Sequence, residues 1–307
     1  MYKPGYLKLY KTGELKKRLH LLESNLSSCI ICPRSCKVNR IEDKHGFCKS
    51  GYLPYISSIM PHHGEERVLS GINGSGTLFF GSCNLRCIYC QNWQISQDQT
   101  YFKSTVSEFQ WAARSIVDLQ DREAVHNINF VSPSHFVPQL VRIIYEAVPL
   151  GLHIPIVYNS NGYDSLSTLH LLDGIIDIYM PDFKYAEDSE AVRYSRCNGY
   201  SVFAKQAIKE MFRQVGLLQI DKFGIATKGL LVRHLVLPNG VAGSSAVFNW
   251  LAKNLDKRVA VSLLAQYNPD YQAHLAPQLS RTITGDEYKE ARNALTEAGL
   301  STEFCQV

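Results

Sequence analysis

From Thr77 onward the chain alternates short apolar runs with longer amphipathic segments. The runs Thr77–Gly81, Asn127–Val131, Ile154–Tyr158, Ile175–Met180, Leu230–Leu237 and Val259–Leu264 are strand-length and rich in β-branched and aromatic residues, which predicts six strands. Between them, 3.6-residue periodicity predicts helices over Val106–Gln120, Val137–Val148, Leu166–Leu172, Ser189–Arg196, Phe203–Val215 and Ser245–Asn254. A last helix over Gly285–Ala298 ends at Gly299. Strands that alternate with helices form βα units around a parallel sheet, either open or curled into a barrel. In both arrangements ligands collect where the loops leave the C-terminal ends of the strands.

The N-terminal part reads differently. Leu15, Leu19, Leu22 and Leu26 recur on one face of a helix over Glu14–Leu26. Cys29 to Ile72 is loop-rich, with Gly, Pro and Ser scattered through it. The expected division is a Cys-rich extension over residues 1–72, with an auxiliary metal site, and a sheet-and-helix domain over 73–307 that carries the C-terminal helix.

The 307 residues carry a formal net charge of +4, too weak and too dispersed for the basic stripe of a nucleic-acid binder. The densest basic run, Lys16-Lys17-Arg18, suits a solvated helix face. No apolar stretch approaches the roughly 18 residues of a membrane span, and the N-terminus has no apolar signal core, so a cytoplasmic protein without a membrane partner is expected.

Cysteine changes the picture. Nine cysteines in a reducing compartment point to metal chemistry, and seven of them fall between positions 29 and 90. Cys83, Cys87 and Cys90 follow directly on the first strand, so three thiolates within eight residues can wrap one compact centre. Three thiolates leave a four-iron cluster one ligand short, and the open iron can take an amine and a carboxylate, as borne by the methionyl part of S-adenosylmethionine (SAM). Half of a zinc site, or a structural iron–sulfur site, is the plainer alternative. Cys29, Cys32, Cys36 and Cys48 supply four further thiolates, enough to close an iron–sulfur cluster or a tetrahedral zinc site. The group lacks the paired short knuckles that favour zinc, so a second [4Fe–4S] cluster is preferred. Cys197 and Cys305 stand alone and suit packing.

The Cys-x3-Cys-x2-Cys spacing, with Tyr89 before the last cysteine, resembles the signature of the radical SAM superfamily. The segments CPRSCKVNR, PHHGEE, GSGTLFFGSCNLRCIYCQNWQISQ, VSPSHFVPQ, VYNSNGYD, DIYMPDFKY, VRHLVLP and SLLAQYNP extend the resemblance over nearly the whole chain. They are similar to the branch related to pyruvate formate-lyase activating enzymes. The resemblance implies a partial (β/α)6 radical SAM barrel with a [4Fe–4S] cluster at its mouth. It implies reductive cleavage of SAM to a 5′-deoxyadenosyl radical for hydrogen abstraction from a protein, peptide or small molecule, glycyl-radical activation being one version. It also implies an electron donor such as flavodoxin or ferredoxin. A non-catalytic iron–sulfur or zinc protein that transfers electrons or scaffolds a partner is the rival of another class.

The same resemblance suggests site residues. Tyr89 and Gln91 correspond to backbone near adenine. Val131-Ser132-Pro133-Ser134-His135 stands where a Gly-Gly-Glu-Pro turn would meet the SAM amino group, which makes Ser132 and Ser134 candidate ligands and His135 a candidate catalytic group. Asn159-Ser160-Asn161-Gly162 and Met180-Pro181-Asp182-Phe183-Lys184 resemble two turns that build a monovalent-cation site, to which Asp182 would bring a carboxylate and Asn159 no charge. Arg233 corresponds to an arginine near SAM and suits the methionyl carboxylate or a catalytic part, while His234 must point to the opposite face. Gln266-Tyr267 replaces a Tyr-His pair of the activators. His62, Glu65 and Glu66 suit either acid–base work or exposed loop charge.

Overall fold

The computed structural model describes residues 2–306. Among the described residues, eight strands form one mixed sheet: β1 (Ile56–His62), β2 (Ser75–Phe80), β3 (Ile128–Val131), β4 (Ile156–Ser160), β5 (Ile178–Pro181), β6 (Gln219–Ile220), β7 (Ala226–Leu235) and β8 (Ala260–Leu264). Their order is β1-β2-β3-β4-β5-β7-β6, with β8 paired to β7. β2, β3, β4, β5, β7 and β8 run parallel, each to the next. β1 lies antiparallel against β2, and the short β6 lies antiparallel against β7.

Period-2 alternation sorts the side chains into two layers. On one face Leu78, Phe130, Tyr158, Tyr179 and Leu230 stand in register and join the core beneath the helices. On the other, Val157, Ile178, Met180, Leu231 and Ala260 form a separate small core around Leu69. That second core is enclosed because the sheet curls. Four strand spacings separate β3 from β8, about 19 Å on a flat sheet. Yet the adjacent residues Glu65 and Glu66 reach both strands, Glu65 accepting from Asn129 Nδ2 at 3.2 Å and Glu66 accepting from Ser262 Oγ at 2.8 Å.

The helices follow their apolar stripes. Helix Val137–Ala147 buries Leu140, Val141, Ile143, Ile144 and Ala147, and carries its proline in the first turn, where the missing N–H costs nothing. Arg142 grips Glu23 in a two-oxygen ion pair at 2.6 and 2.8 Å, fastening helix Glu14–Ser24 to it. Helix Gly285–Glu297 starts from a capping box between Thr284 and Glu287.

Several boundaries differ from the sequence reading. The stretch taken as loop contains β1, whose sequence ISSIMPH has no clean alternation and ends near a proline, as an edge strand permits. Helix Phe109–Arg122 starts three residues later than its periodicity suggests, because Val106 is drawn into a bridge with Tyr55. β7 begins four residues early, where the half-exposed Thr227 and Lys228 interrupt the apolar run. No helix among the described residues is long and apolar enough to cross a membrane.

Candidate functional site

The loop that carries Cys83, Cys87 and Cys90 leaves the C-terminal end of β2 and is tied down from several directions. The backbone N–H groups of Arg86 and Ile88 donate to the carbonyls of Ser195 and Tyr194 at 3.0 and 2.9 Å. Gln97 Nε2 donates to the Cys87 carbonyl and Asn84 Nδ2 to the Tyr163 carbonyl. Arg86 folds back onto the Cys83 and Leu85 carbonyls.

Each of the three partly buried sulfurs has a polar neighbour. Ser195 Oγ donates to Cys87 Sγ at 3.0 Å, Asn161 Nδ2 and the Leu85 N–H donate to Cys83 Sγ at 3.4 Å, and Ser96 Oγ lies 3.2 Å from Cys90 Sγ. Burial pushes the Cys83 thiol up and the Cys87 thiol to about 12, with nearby Lys184 pulling against it at Cys87. Burial also opposes the Lys184 charge, but Asp182 Oδ2 at 2.6 Å and the Cys87 sulfur outweigh it and hold its pKa above the usual lysine range. An ammonium beside grouped sulfurs favours their anionic form.

The residues expected around a cofactor divide in two. Asn161 touches the cysteine loop directly, donating to Asn84 Oδ1 at 2.7 Å as well as to Cys83. Asn159 is nearly buried, and its carbonyl receives the N–H of Ser132, which sits in the left-handed region at φ 58°. Ser134 is buried beside Asp164 and Tyr158. Tyr89 is buried, its hydroxyl 2.6 Å from that of Tyr185, which lies 2.7 Å from Ser195 Oγ, so a chain of hydroxyls runs from Tyr89 to the Cys87 sulfur. Gln91 is exposed and donates to the Gln266 carbonyl at 2.7 Å. His135 is fully buried, with Nε2 3.1 Å from the Gly81 carbonyl. Burial depresses its pKa to about 3, so the ring is neutral at physiological pH.

Arg233 lies in the enclosed layer rather than beside the cysteine loop. Its guanidinium is 3.6 Å from Glu65, 3.4 Å from Glu66 and 3.9 Å from Asp182. Glu65 and Glu66 are therefore interior residues, with 7% and 10% side-chain exposure, and not surface loop charge. Burial raises Glu65 to about 7 although Arg233 pulls it down. His234 points the opposite way, as alternation requires, between the Phe183 carbonyl and Ser244. Asp182 links the two regions, pairing with Lys184 on one side and Arg233 on the other.

A second group of thiols borders the first. Cys29, Cys32, Cys36 and Cys48 line one small cavity together with Arg40 and His135. Burial raises the Cys32 thiol, and Cys48, Cys29 and Cys36 add to the rise. Three contacts join this cavity to the first loop: Ser82 Oγ donates to the Cys48 carbonyl, Arg86 Nη2 to the Phe47 carbonyl at 2.8 Å, and Arg34 Nε to the Asn84 carbonyl at 3.0 Å. No group of three or more His, Cys, Asp or Glu side chains among the described residues is gathered for a single metal ion. Cys197 is buried in the main core, and Cys305 packs at its edge.

Sequence reasoning did not single out Lys184, Ser195, Tyr185 or Arg40. Lys184 stands two residues from Asp182, but Ser195 is 108 positions from Cys87, and only the fold joins them.

No family model matches the chain. It is 32% identical over 290 residues to the uncharacterized protein MJ0674 of Methanocaldococcus jannaschii, covering 93% of this chain and 79% of that one. A shorter match, 32% over 91 residues, covers 25% of this chain and 26% of the uncharacterized protein MJ0808 of the same organism. Among solved structures, that of TYW1 with a lysine–pyruvate adduct bound aligns with a TM-score of 0.41 and 12% identity, over 72% of this chain and 73% of that one. At 32% identity along nearly its full length, the chain belongs to the family of the uncharacterized protein MJ0674.

Proposed function

We propose that this protein is a radical SAM enzyme, with Cys83, Cys87 and Cys90 holding a [4Fe–4S] cluster at the mouth of a partial (β/α)6 barrel built from the six parallel strands. The observation that carries this reading is the set of three sulfurs at the C-terminal end of the sheet, each met by a hydrogen-bonding group from the chain, in a loop with no fourth cysteine. The donor set suits the group: thiolates bind iron, and hydrogen bonds to sulfur are among the protein's means of tuning it. When bound, such a cluster supplies one iron free to take the amine and carboxylate of SAM, and the electron that breaks its sulfonium bond.

The chain's own residues supply position and dryness. Ser195 and Asn161 fix the Cys87 and Cys83 sulfurs, and Lys184 sets positive charge beside them. Asn159, Asn161, Ser132 and Ser134, at the ends of β3 and β4, are the proposed contacts for the methionyl and ribose end, with Tyr89 and Gln91 toward adenine. Asp182, already paired with Lys184 and Arg233, is a poor free ligand for a monovalent cation, and its proposed part is to hold those two cations in place. Arg233, surrounded by three carboxylates, is proposed to anchor the interior acidic pair rather than to meet SAM. The substrate is proposed to be a protein, peptide or small molecule, with activation of a glycyl-radical enzyme as one form. A flavodoxin or ferredoxin would serve as electron donor, in the cytoplasm. Residues 1–72 are proposed as an extension to the barrel of residues 73–307.

Anaerobic reconstitution with iron and sulfide, followed by reduction in the presence of SAM, tests the reading. The protein should release 5′-deoxyadenosine and methionine, and the variant with Cys83, Cys87 and Cys90 all replaced by Ala should release neither. Undiminished 5′-deoxyadenosine from that variant would overturn the assignment. A reconstituted, reducible cluster in the parent that leaves SAM intact would make the protein a non-catalytic iron–sulfur protein.

A further inference from the structure

We infer that the cavity walled by Cys29, Cys32, Cys36 and Cys48 is a second iron–sulfur site, a four-iron cluster with a protein thiolate at every corner and Arg40 as its buried counter-cation.

The first argument is charge. Arg40 is 1% exposed and lies on the cavity wall. Its Nε and Nη2 donate to the Gly51 carbonyl at 3.1 and 2.8 Å, and its Nη1 donates to the His135 carbonyl at 2.6 Å and faces Cys29 Sγ at 4.0 Å. None of these partners is a carboxylate. A guanidinium keeps its charge even when buried, and buried charge without an opposite charge is heavily disfavoured. Four thiolates around a [4Fe–4S] core leave a net negative charge, which supplies the missing partner.

The second argument is the lining. Cys29, Cys32, Cys36 and Cys48 wall one cavity, which is enough to give a four-iron cluster a thiolate at every corner. Local detail agrees. The Phe47 N–H donates to Cys36 Sγ at 3.5 Å, a backbone-to-sulfur bond of the kind that tunes iron–sulfur centres. At Gly46 a side chain would come within 2.8 Å of Cys36 Cβ and Sγ, so a glycine there lets the backbone approach the sulfur.

The assignment does not depend on SAM cleavage, and its test avoids it. The Cys83, Cys87 and Cys90 triple Ala variant isolates the second site. Treated anaerobically with equal amounts of ferrous and ferric iron and with sulfide, it should bind about four iron and four sulfide per chain. Adding Cys32→Ser and Cys48→Ser should abolish that uptake, with the circular dichroism spectrum showing the fold retained. One zinc per chain in place of iron and sulfide, or iron uptake that survives the two added substitutions, would overturn the site. Arg40 is tested by potentiometric titration of the same cluster. Arg40→Gln should shift the midpoint to more negative potential, because reduction then adds an electron without a neighbouring cation, while Arg40→Lys should shift it less. An unchanged midpoint in Arg40→Gln would remove Arg40 from the role. Should Arg40→Gln fail to fold, Arg40→Lys decides that point: a parent-like or modestly lowered potential supports the role, and a large negative shift with the charge retained refutes it.

Discussion

Replacing Arg233 by Met tests whether the enclosed acidic cluster is held together by one cation. The guanidinium faces Glu66 at 3.4 Å, Glu65 at 3.6 Å and Asp182 at 3.9 Å. At an effective dielectric constant near 20, each such pair has a gross attraction of roughly 4–5 kcal/mol. Most of that is offset by the desolvation of four charged groups, and removing one partner of a buried pair costs about 3–5 kcal/mol. At about 2–4 °C per kcal/mol, the variant should unfold about 6–20 °C below the parent at pH 8. The penalty should also depend on pH. Glu65 is raised in the folded protein from its ordinary 4.5 to about 7, so the folded state binds its proton more tightly than the unfolded state. Its contribution to stability is complete below pH 4.5 and is lost as pH rises through 7. Without the pull of Arg233, Glu65 shifts further up, so the variant should lose stability more steeply over that window and its deficit should be smaller near pH 5. Thermal unfolding of anaerobically reconstituted parent and variant at pH 5, 6.5 and 8 measures this. An equal melting temperature at pH 8, or a deficit that does not change with pH, would refute the electrostatic account. If the variant instead keeps its stability and loses ten- to a hundredfold in SAM affinity, Arg233 is a ligand, as the motif resemblance suggests.

Two further outcomes follow from local geometry. Gly162→Ala should destabilise the protein by more than about 2 kcal/mol in denaturant unfolding, because φ is +78° and the new methyl would run into the Asp182 carbonyl oxygen; near-parent stability would contradict that close approach. Ser195→Ala removes the hydroxyl that donates to Cys87 Sγ at 3.0 Å, so the cluster proposed at Cys83, Cys87 and Cys90 should reduce at more negative potential with its iron content unchanged; potentiometric EPR measures this, and an unmoved midpoint would exclude Ser195 from tuning.

What the sequence determined by itself was local. Period-3.6 stripes located helix Leu166–Leu172 to the residue and helix Val137–Ala147 to within one position, because the stripe that pays for burial is written within a dozen residues. Short apolar runs located the six parallel strands, with boundaries off by up to four residues where a polar residue such as Lys228 still pairs in the ladder. The three-cysteine and four-cysteine groups stand out in the sequence because their cysteines are close along the chain. The edge strand β1 was not, since a strand with one neighbour and mixed exposure has little hydrophobic alternation to read.

The tertiary structure decided which of these local pieces meet. Curling of the sheet, on which periodicity is silent, carried Glu65 and Glu66 from an apparently exposed loop to the interior and enclosed Arg233 between them and Asp182. Ser195 reaches Cys87 across 108 positions and Ser262 reaches Glu66 across 196, pairings that no local pattern encodes. Arg40 reads in sequence as one more charge in a polar stretch; only packing against Gly51 and His135 makes it a buried cation beside four thiols. Short-range pattern fixes an element because its side chains share one backbone period. The charge around a sulfur depends on groups brought together by the whole chain, through burial that no single segment can anticipate.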